Sequence, residues 1–363
     1  MKVSIALLSL VCFLAGGCSR GTQPIVIGAA GPWGEWAGEM TKKGIDLAVD
    51  EINAAGGIRG RRLEVLARDD QRDGARAAVV AQELVRTKAV VGVIGHVTSG
   101  AMVAAAKVYD GHLAAIATSA TSPDLTGISP WTFRVISSDS TNGVEIARFV
   151  TAMGRRRAAV VYENDSYGRG LADAFRKSFT GEIVAMDPIG AKVPDAQPYI
   201  AYYKAHDVDI VFVVGLPESG FALLREARRE GWKADFIGGD GWAGLVADTV
   251  LSEGAYVGTA FTAEDPREDV QRFVAAFRAR YGVEPEINAA LGYDATRVLA
   301  QAIAAVGPDR RAIRRYLAHI TPETAFHGVT GTIRFRPDGD PVSAPYRITR
   351  VHRGAFLLAG ASR

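Results

Sequence analysis

Hydroxyl side chains directly follow two predicted strands in the first third of the chain. Thr98 and Ser99 come after one apolar segment, and Ser119 and Thr121 come after the next. Ligands of open parallel sheets bind beyond the carboxyl ends of the strands, and hydroxyls beside the free N–H groups of a helix start suit a carboxylate. Ser/Thr-rich loops are also common as turns and caps, so each residue taken alone is compatible with a structural role.

Acidic and aromatic side chains follow the predicted strands of the next part of the chain. The residues at these positions are Glu163, Asp165, Tyr167, Glu218 and Asp240. A carboxylate there can accept a charge-assisted hydrogen bond from an ammonium group, which is stronger than a bond between neutral groups. With a carboxylate held on one side and an amine on the other, the pattern favours a zwitterionic, amino-acid-like ligand.

The elements that would position these residues are apolar strands alternating with helical segments, which predicts parallel sheets covered on both faces. Two such α/β blocks stand in series, and a third block adds further helices. The predicted helices include 40–55 in the first block and 289–305 in the third. Segments 330–335 and 346–351 are predicted to pair as antiparallel strands around the turn sequence 337–340.

The start of the sequence has the features of an export signal. A positive charge and a short apolar run, too short to span a bilayer, precede Leu14-Ala15-Gly16-Gly17-Cys18. Residues 1–17 are therefore predicted to be a signal peptide, and 18–23 a linker whose Cys18 carries a lipid. Ordinary cleavage just before that cysteine is the alternative, and it would leave no lipid anchor.

Most catalytic and cofactor-binding patterns are missing from the sequence. A net charge of +2 does not mark a nucleic-acid-binding protein, and Cys12 and Cys18 are the only cysteines, so the mature fold has no disulfide. Residues 239–244 match G-x-G-x-x-G, but Asp240 would place a charge in the phosphate-binding turn. No phosphate-binding loop, nucleophile elbow or metal-ligand spacing is present, so we expect no cofactor, no metal ion and no catalytic residue.

Three further side chains each have two interpretations. Trp33 and Trp36 lie in a Gly-rich segment after the first predicted strand, where an aromatic ring either stacks on a ligand or packs against the following helix. His96 stands at a strand end and either contacts a ligand or caps a turn. The sequence alone leaves these alternatives open.

Several segments of the sequence match those of one known family. The most specific is Ile52-Asn53-Ala54-Ala55-Gly56-Gly57-Ile58, with Asp69-Asp70 downstream of it. The other matching segments include Gly28-Ala29-Ala30-Gly31-Pro32, Val93-Ile94-Gly95-His96, Thr121-Ser122-Pro123-Asp124-Leu125-Thr126, Tyr167-Gly168-Arg169-Gly170-Leu171-Ala172 and Phe236-Ile237-Gly238-Gly239-Asp240-Gly241. Over essentially the whole mature chain, the sequence resembles the leucine/isoleucine/valine-binding protein family.

The resemblance implies a type I periplasmic binding protein, an α/β fold of two doubly wound parallel-sheet lobes joined by a three-crossing hinge. It implies that lobe 1 takes residues 24–138 and 262–336, and that lobe 2 takes 139–261 and 337–363. Binding of the ligand is expected to close the hinge.

The resemblance also implies ligand-binding roles in lobe 1, residue by residue. Ser99, Ser119 and Thr121 match positions that hold the carboxylate and the amine of the ligand. Trp36 lies near the aromatic residue that lines the side-chain pocket.

In lobe 2, Tyr167 matches the aromatic residue that closes on the ligand, and Asp240 matches the acid that pairs with the α-ammonium.

The chain departs from the family at three places. Some members carry a disulfide near the second and third strands, where Arg72 and Thr98 stand here, and Leu216 replaces a frequent aromatic residue.

The sequence therefore predicts a non-enzymatic, extracytoplasmic substrate-binding lipoprotein of an ABC importer. It would capture an amino acid, branched-chain or a similar zwitterion. The expected partners are this ligand, a membrane permease and, through Cys18, the membrane, with no nucleic acid. A monomer in the periplasm or at the cell surface is expected. The alternatives are a ligand sensor of the same fold, for amides or other small polar metabolites, and an enzyme on a related two-lobe fold.

Overall fold

The computed structural model describes residues 23–190, 193, 195–342 and 346–360. The predicted signal peptide 1–17, the lipidation site Cys18 and all but the last residue of the linker 18–23 lie outside the described residues. Within the described ranges, no helix combines the length and the apolar character needed to cross a bilayer.

Strands and helices alternate through most of the described chain. The strands are β1 (Ile25–Gly31), β2 (Leu63–Asp69), β3 (Val90–Gly95), β4 (Ala115–Ala117), β5 (Thr132–Arg134), β6 (Arg157–Glu163), β7 (Glu182–Ile189), β8 (Ile210–Val214), β9 (Asp235–Gly238), β10 (Tyr256–Thr259), β11 (Phe326–Gly328), β12 (Gly331–Ile333), β13 (Arg347–His352) and β14 (Ala355–Leu358). The α-helices are α1 (Trp36–Ala54), α2 (Gly74–Arg86), α3 (Ser99–Tyr109), α4 (Asp139–Ala152), α5 (Ser166–Ser178), α6 (Gln197–Ala205), α7 (Pro217–Arg229), α8 (Glu268–Tyr281), α9 (Ile287–Val306) and α10 (Arg310–Ala318). The predicted α/β alternation is confirmed.

The first sheet has the strand order β2-β1-β3-β4-β5, with all neighbours parallel. Its strand β3 is buried along its whole length, because helices cover both faces of the sheet. Helices α2 and α3 cover one face, where Leu84 and Met102 pack against Val93. Helices α1, α8, α9 and α10 cover the other face, where Ile27 and Ile94 are buried. This sheet and its helices form lobe 1.

The second sheet has the order β14-β13-β10-β9-β8-β6-β7. Strands β6 to β10 are parallel, and β13 and β14 extend the sheet in antiparallel pairing. The apolar segment Ile210–Val214 is buried throughout, with Leu171 and Phe175 of α5 on one face and Leu223 of α7 on the other. This sheet and its helices form lobe 2.

The chain passes between the lobes three times within the described residues. It crosses from β5 to α4, from β10 to α8, and from β12 to β13. A buried ion pair links the first crossing to the third, because Arg134 Nε donates to Asp340 Oδ1 at 2.6 Å. The same guanidinium donates from Nη1 to the Thr121 carbonyl at 2.9 Å. The first and third crossings are therefore tied to each other and to the segment of lobe 1 that follows β4.

The predicted pairing of 330–335 with 346–351 is wrong. Strand β12 pairs with β11, and β13 pairs with β10 and β14. The predicted turn itself forms, since Arg336 N donates to the Asp340 carbonyl at 2.7 Å. Beyond this turn the chain moves to lobe 2, where β13 gains a strand partner on each side instead of the single partner that a hairpin offers.

Candidate functional site

A cavity of about 70 Å³ lies between the lobes. It is bounded by loops that follow β1, β3 and β4 in lobe 1 and by loops that follow β6, β8 and β9 in lobe 2. Five of the six residues that the sequence analysis placed in the ligand site line this cavity, namely Trp36, Ser99, Ser119, Tyr167 and Asp240. Residues far apart in the sequence are thus brought to one place between the lobes.

Lobe 1 presents the start of helix α3 to the cavity. Thr98 immediately precedes the helix, and Ser99 is its first residue. The Ser99 hydroxyl accepts a hydrogen bond from Ser122 N at 3.1 Å, while the buried Thr98 hydroxyl has no partner among the described residues. The first N–H groups of a helix lack partners within it, so this wall offers hydrogen-bond donors to an anion.

Ser119 connects the cavity to a short chain of hydrogen bonds in lobe 1. Its hydroxyl donates to Asn288 Oδ1 at 2.6 Å, and Asn288 Nδ2 donates to Glu286 Oε2 at 2.9 Å. Burial raises the pKa of Glu286 to about 7, and the charge of Asp240 acts in the same direction. The Ser119 oxygen donates its only proton to Asn288 and keeps its lone pairs for a ligand donor.

Lobe 2 presents a buried carboxyl group to the cavity. Asp240 follows β9, is 5% exposed, and its Oδ1 has no hydrogen-bond partner in the described part of the chain. Tyr167 lies beside it, and the Tyr167 hydroxyl accepts a hydrogen bond from Gly241 N at 3.2 Å. Burial raises the pKa of Asp240 to about 7. A cation in the cavity would favour the ionised form, because an unpaired buried charge is costly.

A second buried acid lies close to Asp240 and was not predicted from the sequence. Asp139 begins α4, is fully buried, and has a pKa well above its usual range because of burial and then the charge of Asp240. Burial and these two carboxyl groups also raise the pKa values of Tyr167 and Tyr346. Two neighbouring carboxyl groups in a buried place do not both ionise readily, so this region favours a positively charged group.

The sixth predicted residue, Thr121, is not part of the cavity lining. Its side chain is fully buried, and its carbonyl accepts hydrogen bonds from Asp139 N and from Arg134 Nη1, both at 2.9 Å. In this conformation Thr121 connects lobe 1 to the start of α4 across the first crossing. Contact between its hydroxyl and a ligand stays a prediction.

Trp36 stands at the boundary between the lobes, where helix α1 begins. The predicted helix start at residue 40 is wrong, since α1 already begins at Trp36. Gly38 lies inside this helix, and a glycine is needed there because a Cβ would collide with the Pro32 carbonyl oxygen. In lobe 2, a Cβ built on Gly244 would lie 3.0 Å from Trp36 Cδ1, so the ring packs directly on the opposite lobe.

The two other side chains with open interpretations lie outside the cavity lining. Trp33 packs against the core of lobe 1. His96 is fully buried, with its Nδ1 2.6 Å from Asp70 Oδ2 and its Nε2 3.1 Å from the Tyr109 hydroxyl. Both side chains therefore serve the packing of lobe 1 in this structure, which supports the structural interpretation of each.

The lobes touch each other in further places around the cavity. The Arg72 guanidinium forms an ion pair with Glu163, and its Nη2 lies 3.6 Å from Asp165 Oδ2. A Cβ built on Gly170 in lobe 2 would lie 2.5 Å from Pro123 Cδ in lobe 1. These contacts across the cleft describe a closed arrangement of the lobes.

Two α/β lobes, three chain crossings and a cavity between two walls that each carry polar groups define a solute-binding protein of the two-lobe type. The chain belongs to the periplasmic binding protein family, whose family model matches residues 24–355. The resemblance noted in the sequence and the predicted type I fold are confirmed.

Individual relatives agree with this family. The Leu/Ile/Val-binding protein homolog 1 of Brucella abortus (strain 2308) is 30% identical, over 97% of this chain and 95% of its own length. A structure of the branched-chain amino acid transporter substrate-binding protein LivJ of Streptococcus pneumoniae, in complex with isoleucine, has a TM-score of 0.85 at 31% identity and covers 93% of this chain and 99% of its own. An ABC transporter substrate-binding protein of Desulfitobacterium hafniense, in complex with leucine, has a TM-score of 0.81 at 30% identity and covers 93% of this chain and 100% of its own.

Proposed function

We propose that this protein captures a free amino acid by closing its lobes and delivers it, chemically unchanged, to the permease of an ABC importer. The observation that carries the proposal is the pairing of walls around one cavity, with a helix start and hydroxyls on lobe 1 and the carboxyl group of Asp240 on lobe 2. A carboxylate fits the first wall, and an ammonium fits the second. The isoleucine and leucine held by two similar proteins support this ligand class.

Within this proposal, each predicted residue has a distinct role. The N–H groups at the start of α3, with Ser99, bind the carboxylate. Asp240 pairs with the ammonium of the ligand. The Ser119 oxygen and the buried Thr121 also help to bind this ammonium. Tyr167 covers the ligand from lobe 2. Trp36 lines the space for the side chain.

Calorimetry with a panel of free amino acids tests the proposal. At least one amino acid should bind, and its analogue without the α-amino group should bind far more weakly. Asp240→Ala should lower the affinity at least about tenfold, which is about 1.4 kcal/mol, because the ammonium loses its buried partner. Asp173→Ala removes an exposed carboxylate of α5 as a matched control and should bind like the parent. An analogue that binds as tightly as the amino acid would rule out the assigned role of Asp240.

We also propose that the lobes divide near residues 138, 261 and 336, and that the protein acts as a monomer held to the membrane by a lipid on Cys18. The small residues before Cys18 support the anchor. Cys18→Ala should shift the protein from the membrane fraction to the soluble fraction of the cell extract. Retention of this variant in membranes would contradict the lipid anchor.

A further inference from the structure

An ion pair joins the lobes beside the cavity. Arg72 follows β2 in lobe 1, and Glu163 ends β6 in lobe 2. Arg72 Nη2 donates a hydrogen bond to Glu163 Oε2 and lies 3.6 Å from Asp165 Oδ2. Because its partners belong to different lobes, this pair exists only while the lobes are closed.

Both partners are held on their own lobes. Arg72 N donates to Asp70 Oδ1 at 2.9 Å, and the other oxygen of Asp70 lies 2.6 Å from Nδ1 of the buried His96. Glu163 Oε1 accepts a hydrogen bond from Leu216 N at 2.9 Å. Since the Glu163 side chain is already ordered within lobe 2, pairing with Arg72 costs less conformational entropy than pairing two free side chains.

Burial distinguishes this pair from ion pairs on the surface. The side chains of Arg72 and Glu163 are 21% and 3% exposed, whereas those of Arg68 and Glu83, a pair within lobe 1, are 37% and 45% exposed. Exposed pairs contribute little to stability, because water and salt screen them, and partly buried pairs are screened much less. Opening the lobes admits water between Arg72 and Glu163, so their attraction favours the closed state.

We propose that Arg72 is a positioning residue that stabilises the closed state through Glu163 and Asp165, and thereby slows the release of every ligand by the same factor. The inference rests on the proposed closure around an amino acid. Arg72 lines the cavity, but its guanidinium is already bonded to the opposite lobe. It therefore acts on the equilibrium between open and closed lobes rather than on the choice among ligand side chains.

Release kinetics of single and double variants test this role. Arg72→Gln should release bound amino acids about tenfold faster in stopped-flow displacement, and Glu163→Gln should accelerate release by a smaller factor because Arg72 keeps its contact with Asp165. The double variant should be no faster than Arg72→Gln alone, because that change already removes the pair with Glu163. For a given variant, the increase in release rate relative to the parent should be equal for every amino acid that binds. Arg68→Gln removes the exposed pair of lobe 1 and should release at the parent rate, and Arg72→Lys should restore part of the slow release.

Lobe closure can also be followed without any ligand, which separates this inference from the amino-acid assignment. Spin labels on Val79→Cys and Tyr202→Cys, two exposed positions on α2 and α6, report the distance between the lobes in a Cys18→Ala background. Arg72→Gln should reduce the closed population of the ligand-free protein, and Arg68→Gln should not. An unchanged distance distribution, unchanged release rates, or a change confined to one amino acid would each overturn the proposal.

Discussion

The two walls of the cavity differ in how far their polar groups are satisfied before a ligand arrives. On lobe 1, Ser99 accepts a hydrogen bond from Ser122 N at 3.1 Å, and Ser119 donates to Asn288 Oδ1 at 2.6 Å. On lobe 2, Asp240 Oδ1 lacks a partner within the described ranges, and burial raises the pKa of Asp240 to about 7. Ser99 and Ser119 of lobe 1 are therefore held in place before a ligand arrives, although the Thr98 hydroxyl beside them lacks a partner among the described residues, whereas the lobe 2 wall is electrostatically unfavourable until a cation enters.

This difference gives the lobes separate tasks. A preformed wall can bind the ligand in the open state with little reorganisation. A ligand drives closure only if it interacts more favourably with the closed state than with the open one. The ammonium of the proposed amino-acid ligand would meet that condition, because closure brings it to a carboxylate whose buried environment otherwise favours the protonated form. In the proposed mechanism, lobe 1 therefore docks the ligand and lobe 2 couples the ligand to closure.

A substitution that keeps both walls intact but prevents the lobes from closing fully should have the largest effect on ligand affinity. A Cβ at Gly170 would lie 2.5 Å from Pro123 Cδ, and the proline ring cannot turn away. Overpacking of this kind costs about 1–3 kcal/mol, so Gly170→Ala should weaken amino-acid binding up to about 100-fold in calorimetry. Gly34→Ala adds the same methyl group where nothing lies within 4 Å and should bind like the parent. Equal affinities for the two variants would show that Gly170 does not approach Pro123 in the bound state.

The elements of both sheets could be predicted because their signals are local. The segments that form β3 and β8 are apolar throughout, and strands of this kind between helices indicate a parallel sheet covered on both faces. The same pattern placed the candidate ligand residues, since all parallel strands present their carboxyl ends at one edge. The sequence therefore predicts Ser99, Tyr167 and Asp240 at such edges, where they line the cavity, and their contact with a ligand stays a prediction.

The features that escaped the sequence analysis depend on contacts between distant segments. Arg72 stood out only as a replacement for a cysteine, and its partner Glu163 lies 91 residues away. Asp139 looks like an ordinary acid at a helix start, where it is favoured in any protein. Asn288 gave no signal at all, because its link to Ser119 spans 169 residues. The turn before β13 was correctly placed, yet its local pattern could not reveal that β13 would join the sheet of the other lobe, between β10 and β14.

Titration of Asp240 should have the next largest effect on affinity for the ligand, and a variant at this position separates its contribution from that of Glu286, whose pKa is also about 7. In the closed arrangement of the lobes, burial raises the pKa of Asp240 to about 7, so its carboxyl group gains a proton there as the pH falls through 7, and the neutral acid cannot form an ion pair with an ammonium. Affinity for the amino acid should fall by up to about tenfold per pH unit below 7 and level off above it, as measured by calorimetry. Asp240→Asn should remove most of this dependence. A flat profile for the parent would contradict the charge assigned to this wall.

Ligand-free stability should show the opposite pH trend, which provides an internal check. The unfolded chain loses the Asp240 proton near pH 4, whereas the folded protein keeps it up to about pH 7. Folding is therefore favoured at low pH by this group, and the contribution is lost as the pH rises from about 4 to about 7. Asp139 and Glu286 have raised pKa values and act in the same direction. Thermal unfolding measured across this pH range, with and without the amino acid, separates the pH trend of ligand-free stability from the pH trend of ligand affinity.

Removing one hydroxyl group from the lobe 1 wall should have the smallest effect on ligand affinity. Ser119→Ala loses a single hydrogen bond to the ligand, worth about 1 kcal/mol, which is about a fivefold loss of affinity in calorimetry. Ser119→Thr keeps the hydroxyl and should bind close to the parent. Asn288 remains held by Glu286 in both variants, so the wall should keep its shape. A loss as large as that of Asp240→Ala would mean that Ser119 is coupled to the buried acids through Asn288, and that the two walls do not act separately.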